Sequence, residues 1–167
     1  MLMMDIAQIN RLSVDDFIHG FKPLLEHAEW AIDLLEKARP FADHDDLNQK
    51  ISGIIHSASA AQKMSALIHH PKLGAGVRVQ GFSGAEQSQA GLHALTDDEF
   101  ARFEKDNADY QRKMGFPFVV AVTGLGKQEI LQLLASRISN DPADEFSVAT
   151  DELIKIACIR VSKLVSD

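Results

Sequence analysis

Apolar positions recur at intervals of three and four along most of the chain, and capping signals rather than linkers separate the runs. Ser13 with Asp16 three residues later resembles a capping box, and Phe17 and Phe21 lie one turn apart behind it, predicting a short helix. Trp30, Leu34 and Ala38, with Ala31 and Leu35 beside them, draw a stripe that ends before Pro40 and predicts a second helix. From Asp45 to about His69, Leu47, Ile51, Ile54, Ile55, Ala58, Ala61, Met64, Leu67 and Ile68 keep the same spacing. They predict one long, largely buried helix. Thr96-Asp97-Asp98-Glu99 is another capping box, and Phe100, Phe103, Asn107, Tyr110 and Met114 trace one side of the helix behind it, with Gly115 as its stop. Ile130, Leu131, Leu134 and Ile138 mark the next helix, closed by Asn140-Asp141-Pro142, and Phe146 to Val165 reads as the last. The pattern predicts an all-α, multi-helix bundle spanning residues 1–167 as a single domain.

One segment breaks the pattern. Phe116-Pro117-Phe118-Val119-Val120-Ala121-Val122 is β-rich in composition, and Gly124 and Gly126 follow it as in a strand entering a phosphate loop. That loop needs a glycine where Ala121 stands and a Ser or Thr where Gln128 stands, so the motif is absent. With no second such run to pair with, residues 116–122 are expected to be a buried extended or irregular segment whose backbone polar groups need partners, a ligand among them.

Composition changes this picture little. Apolar residues make up 46% and charged residues 25%, which excludes disorder as a default. A net charge of −7 argues against non-specific nucleic-acid binding, which needs a basic face. No apolar run approaches the roughly 18 residues of a membrane span, and the N-terminal stretch has no signal-peptide pattern, so a cytoplasmic protein is expected. The lone Cys158 falls in an apolar helical pattern and is expected to be a small core residue. The seven histidines show no His-x-x-x-His spacing, and no metal is expected. His44-Asp45 could suggest a metal-dependent His-Asp phosphohydrolase, but the flanking ligands are missing.

Candidate chemistry gathers at chain reversals. Pro71 disfavours helical geometry at His70, so a helix should stop there and leave the imidazole at its exposed end, as a helix cap or as part of a place where a small polar molecule is held. Ser83, Glu86 and Gln87 sit at another helix end, where Ser83 and Glu86 have either a capping-box or a ligand-binding explanation. Arg160 projects inside the apolar arc of the last helix, among Leu153, Ile156, Ala157 and Leu164. An inward guanidinium needs an anion: an internal carboxylate or a bound ligand.

Taken together, His70-Pro71-x-Leu73-Gly74, Ser83-x-x-Glu86-Gln87 with Ala90-Gly91-Leu92, Gly115-Phe116-Pro117-Phe118 and a terminal-helix arginine resemble the 2-oxo-4-hydroxy-4-carboxy-5-ureidoimidazoline (OHCU) decarboxylase family. The resemblance runs from the Phe17/Phe21 region through Asn140-Asp141-Pro142 to Arg160. It implies a cofactor-free, helical, homodimeric enzyme of urate breakdown that converts the small molecule OHCU to (S)-allantoin. It implies His70 and Glu86 as catalytic residues. It also implies Pro71, Ser83, Gln87, Arg160 and the backbone of Phe118, Val119, Val120, Ala121 and Val122 as substrate-binding. Thr123 and the Leu125-Gly126-Lys127 turn depart from the basic residues expected of relatives. A non-enzymatic helical interaction module is the alternative from another class.

Overall fold

Capping chemistry decides where the chain turns. In a computed structural model, which describes residues 3–74 and 81–166, helix α1 (Ile6–Arg11) opens on Asp5 and α2 (Val14–Phe21) on Ser13. A 3-10 turn (Lys22–Leu24), α3 (Glu29–Lys37), α4 (His44–Ser57) and α5 (Ala60–Ile68) follow. Then come α6 (Gly81–Gln89), α7 (Asp97–Met114), α8 (Lys127–Arg137) and α9 (Pro142–Leu164). The fold is all-α, as the spacing predicts; extended pairing among the described residues is a bridge between Met4 and Val165. No helix among them is long and apolar enough to cross a membrane. The contacts gather into two compact units: Met1–Ala66 with Leu153–Asp167, and Leu67–Glu152.

In the first unit, Ser13 accepts the Asp16 amide and launches α2, whose Phe17 and Phe21 rings stack with centroids 4.4 Å apart. Arg39 closes over Phe17 at 4.8 Å and donates to the Leu12 carbonyl at 2.7 Å, so the cation is both stacked and hydrogen-bonded. Helix α3 forms where its stripe predicts but turns a different face inward: Ala31, Ile32 and Leu35 are buried, whereas Leu34 is 44% exposed and Trp30 half-buried. Five apolar residues in nine positions leave the phase of that helix ambiguous, and Ile32 settles it.

The expected helix from Asp45 to His69 is two. Ala58 is extended (φ −64°, ψ 152°), and Ser59 starts α5 with its own capping box: its hydroxyl accepts the Gln62 amide at 3.1 Å, while Gln62 accepts the Ser59 amide at 3.0 Å. Only part of the stretch is buried. Leu47, Ile51, Ile55 and Leu67 are inside, and Ile68 is 47% exposed.

In the second unit, α7 runs as predicted from the reciprocal Thr96–Glu99 box to Gly115, whose φ of 83° ends it in the left-handed conformation. Phe103, Asn107, Tyr110 and Met114 form its buried face, whereas Phe100 is 39% exposed. Asn140-Asp141-Pro142 does not merely close α8. Asp141 accepts the Ala143 amide at 2.9 Å and Pro142 is the first residue of α9, four residues before the predicted start.

Candidate active site

Proline fixes the first piece of the site. Helix α5 ends at Ile68, the chain bends, and Pro71 follows His70. The imidazole is not at an exposed end, because His70 is only 8% accessible. The turn behind it is held from two helices. Gln87 of α6 accepts the Gly74 amide through Oε1 and donates to the Lys72 carbonyl through Nε2, each at 3.3 Å. Asn107 of α7 donates to the Leu73 carbonyl at 2.8 Å. Gly74 has φ +64°, and a Cβ there would lie 2.8 Å from the Phe103 ring, so glycine is required both for the backbone and for the space.

Helix α6 buries polar side chains where an ordinary amphipathic helix buries apolar ones. Ser83, Glu86, Gln87 and Ala90 follow helical spacing and all four are buried. Ser83 lies two residues inside the helix that begins at Gly81, which removes the capping-box explanation for Ser83 and Glu86. A buried carboxylate and hydroxyl on one face are costly unless they have partners, and such a face is a usual feature of a binding site.

Phe116 to Val122 is neither helix nor strand, pairs in no sheet and is buried throughout. Arg137 of α8 donates to the Val119 carbonyl at 2.7 Å and stacks its guanidinium 4.6 Å from the Phe118 ring centroid. Glu152 of α9 accepts the Ala121 amide at 2.7 Å. Among the described residues, the amides of Val119, Val120 and Val122 have no protein acceptor. Buried N–H groups without acceptors are rare, and each is a ready donor to an anionic or carbonyl oxygen. Both pieces rest on one face of α7: Phe103 and Asn107 meet the His70 turn, and Tyr110 packs its ring edge-on against Phe116 and Phe118. Seven residues of helix separate Phe103 from Tyr110, about 10 Å along its axis.

Arg160, in the other unit, is fully buried, as its position on the apolar arc predicts. Its Nη1 donates to the Leu24 carbonyl at 2.9 Å and to Glu26 Oε2 at 3.0 Å, so the internal carboxylate anticipated for it is present. Cys158 is half-buried rather than a core residue, and desolvation raises its thiol above the ordinary range. His44 is the first residue of α4, behind the Asp43 cap.

A family model described as OHCU decarboxylase matches residues 10–162. The chain belongs to that family. It is 34% identical to the 2-oxo-4-hydroxy-4-carboxy-5-ureidoimidazoline decarboxylase of Amia calva, covering 97% of this chain and 95% of that protein. The protein of that name from Haloferax volcanii is 31% identical, with 96% of each covered. The uric acid degradation bifunctional protein of Bacillus sp. (strain TB-90) is 36% identical over 97% of this chain. There the match spans about a third, 32%, of the relative's length. Two crystal structures share the fold, each at 24% sequence identity. One is (S)-allantoin synthase (TM-score 0.81, 98% of this chain and 54% of that one), the other OHCU decarboxylase in the presence of (S)-allantoin (TM-score 0.75, 88% and 97%).

Sequence reasoning misses several polar groups that this OHCU decarboxylase family member buries around residues 116–122. Arg137 and Glu145 pair at 2.5 Å, with Glu145 wholly inside, and Tyr110 and Asn140 donate to the same carboxylate. The signal was available. Arg137 continues the Ile130–Leu134 stripe of α8 and Glu145 lies one turn before Ala149 on α9, so the inward-charge argument applied to Arg160 finds both.

Proposed function

We propose that this chain is a carboxy-lyase that decarboxylates OHCU to (S)-allantoin in urate degradation, with residues 1–167 acting as one domain. The observation that carries the site is the inverted helix α6, whose buried Ser83, Glu86 and Gln87 face replaces apolar packing and is bonded to the turn that carries His70.

The substrate supplies its own electron sink. The carbon that bears the carboxylate also bears a hydroxyl and adjoins a ring C=N. As the C–CO2 bond breaks, its pair becomes the carbon–carbon double bond of an enol, and the imine pair moves to the ring nitrogen, which takes a proton. The enol then becomes the carbonyl as the neighbouring carbon is protonated, and the face that receives the proton sets the handedness of allantoin. His70 moves that proton, since an imidazole is the side chain best suited to exchange one near neutrality. Glu86 orients His70 or accepts the substrate hydroxyl, and Ser83 and Pro71 line the same side. After holding the turn, Gln87 keeps one amide hydrogen and one lone pair for a ligand. Amides of the Phe118–Val122 segment donate to ligand oxygens, apart from that of Ala121, which Glu152 holds, so that Ala121 stands at the site through its neighbours' backbone. This concentrates the protein's contribution in preorganised dipoles. Arg160 is assigned to ligand contact on the family resemblance. A homodimer and a cytoplasmic location belong to the same reading.

The test generates OHCU freshly from urate and follows product circular dichroism. Wild type is expected to accelerate formation of one allantoin enantiomer over spontaneous decay, and His70→Asn to lose most of that turnover, ~100-fold or more, while keeping its melting temperature. Decay unchanged by wild type would leave the interaction-module alternative; a near-normal His70→Asn enzyme would remove His70 from proton transfer.

A further inference from the structure

Arg137 and Glu145 stand outside the proposed proton-transfer groups, yet their geometry bears on the segment at residues 116–122. Arg137 donates through Nε to Glu145 Oε1 at 2.6 Å and through Nη1 to the Val119 carbonyl at 2.7 Å. Glu145 is held in turn by the Tyr110 hydroxyl at 2.6 Å and the Asn140 amide at 3.0 Å. The guanidinium thus has one anchored edge and one working edge.

The Val119 carbonyl and the Val120 N–H belong to one peptide group. In a planar trans peptide these two bonds point in opposite directions, so gripping the oxygen fixes where the hydrogen aims. Glu152 holds the next amide, Ala121, and the peptide planes on both sides of Val120 are therefore constrained. A cation on the carbonyl oxygen also polarises the same peptide and strengthens its N–H as a donor. The Val120 amide has no protein acceptor among the described residues, so it is both aimed and available.

We infer that Arg137, oriented by Glu145, is a positioning residue that aims the Val120 amide at a carboxylate or carbonyl oxygen of the bound ureido compound. This rests on the proposed decarboxylase reading. A merely structural pair would need only mutual neutralisation, and Arg137 does more by spanning Glu145 and the segment at once.

Arg137→Lys separates the two roles. A single ammonium can neutralise Glu145 but lacks the planar fork that reaches Val119 at the same time. The variant is expected to raise KM for OHCU and Kd for (S)-allantoin about tenfold, the weight of one well-aimed hydrogen bond, with a smaller change in kcat. The Val120 amide proton shift that wild type shows on adding (S)-allantoin should shrink with it. Tyr110→Phe, which removes one bond from Glu145 without touching a charge, should move KM the same way by about twofold to threefold. Unchanged KM and Kd in Arg137→Lys, with only a lower melting temperature, would overturn the inference while leaving an active wild type and its function standing. A wild type that fails to accelerate OHCU decay defeats both. If Arg137→Lys does not fold, Tyr110→Phe decides: a wild-type KM there overturns the positioning role.

Discussion

Tyr110 is the chain's single tyrosine, and its hydroxyl is buried against the Glu145 carboxylate. Burial first, and then the donated hydrogen bond to Glu145, push its pKa far above the ordinary range, because the phenolate would be desolvated and would face a carboxylate. The sign follows from linkage: the folded chain holds this proton more tightly than the unfolded one. The associated stability is complete below the unfolded value of about 10 and falls by about 1.4 kcal/mol per pH unit above it. Phenolate absorbance should therefore stay silent while the protein is folded and appear together with unfolding in alkali; smooth titration near pH 10 with native ellipticity retained would contradict the buried pair. How legible such residues are depends on the question put to the sequence. Arg160 was readable as an inward charge because the apolar positions around it on α9 are dense. Its carboxylate partner, Glu26, lies 134 residues away, and no local spacing points to it. Tyr110 was readable as core, but its hydroxyl's partner required the three-dimensional placement of α9. His70 was found through Pro71, a local steric rule, whereas its burial depends on what packs over the turn.

At the level of elements, α2, α4 and α7 were legible to within a residue or two of their caps, whereas α1, a six-residue helix with Ile9 alone buried, draws no apolar stripe and was not anticipated, and α5 was merged with α4. Periodicity shows that residues can be helical on one face; it does not show whether the backbone continues. Ala58 and Ala61 keep the apolar rhythm between α4 and α5, but the Ser59–Gln62 box offers the backbone amides a second start, and the chain takes it. The junction yields a clean expectation. Ser59→Ala should destabilise the protein by about 1 kcal/mol in urea denaturation, because it removes the acceptor of the Gln62 amide. In a continuous helix the same change would be neutral or stabilising, since alanine is the better helix former. The buried segment at residues 116–122 shows the opposite case. Its existence followed from composition and the lack of a strand to pair with, while the identity of its clamps, Arg137 and Glu152, did not, because side-chain bonds to a distant backbone leave no periodic trace.

Across the whole molecule, α9 links what the contacts divide. Residues 142–152 of its unbroken 23-residue run belong to one unit and residues 153–164 to the other. Ala149 is buried on the first side, Leu153, Ala157 and Val161 on the second. If one unit melted alone, α9 would have to end in mid-run, leaving up to four unsatisfied backbone groups at the new terminus and stripping buried side chains from the melted half. The two units are therefore expected to unfold together. Trp30, the single tryptophan, reports on the first unit, and far-UV ellipticity reports on helices of both. Their denaturation midpoints should coincide in wild type. Leu153→Ala, at the division, should cost about 2–5 kcal/mol and shift both midpoints by the same amount. A Trp30 transition that moved while a second ellipticity step stayed in place would show that the helix does not couple the units.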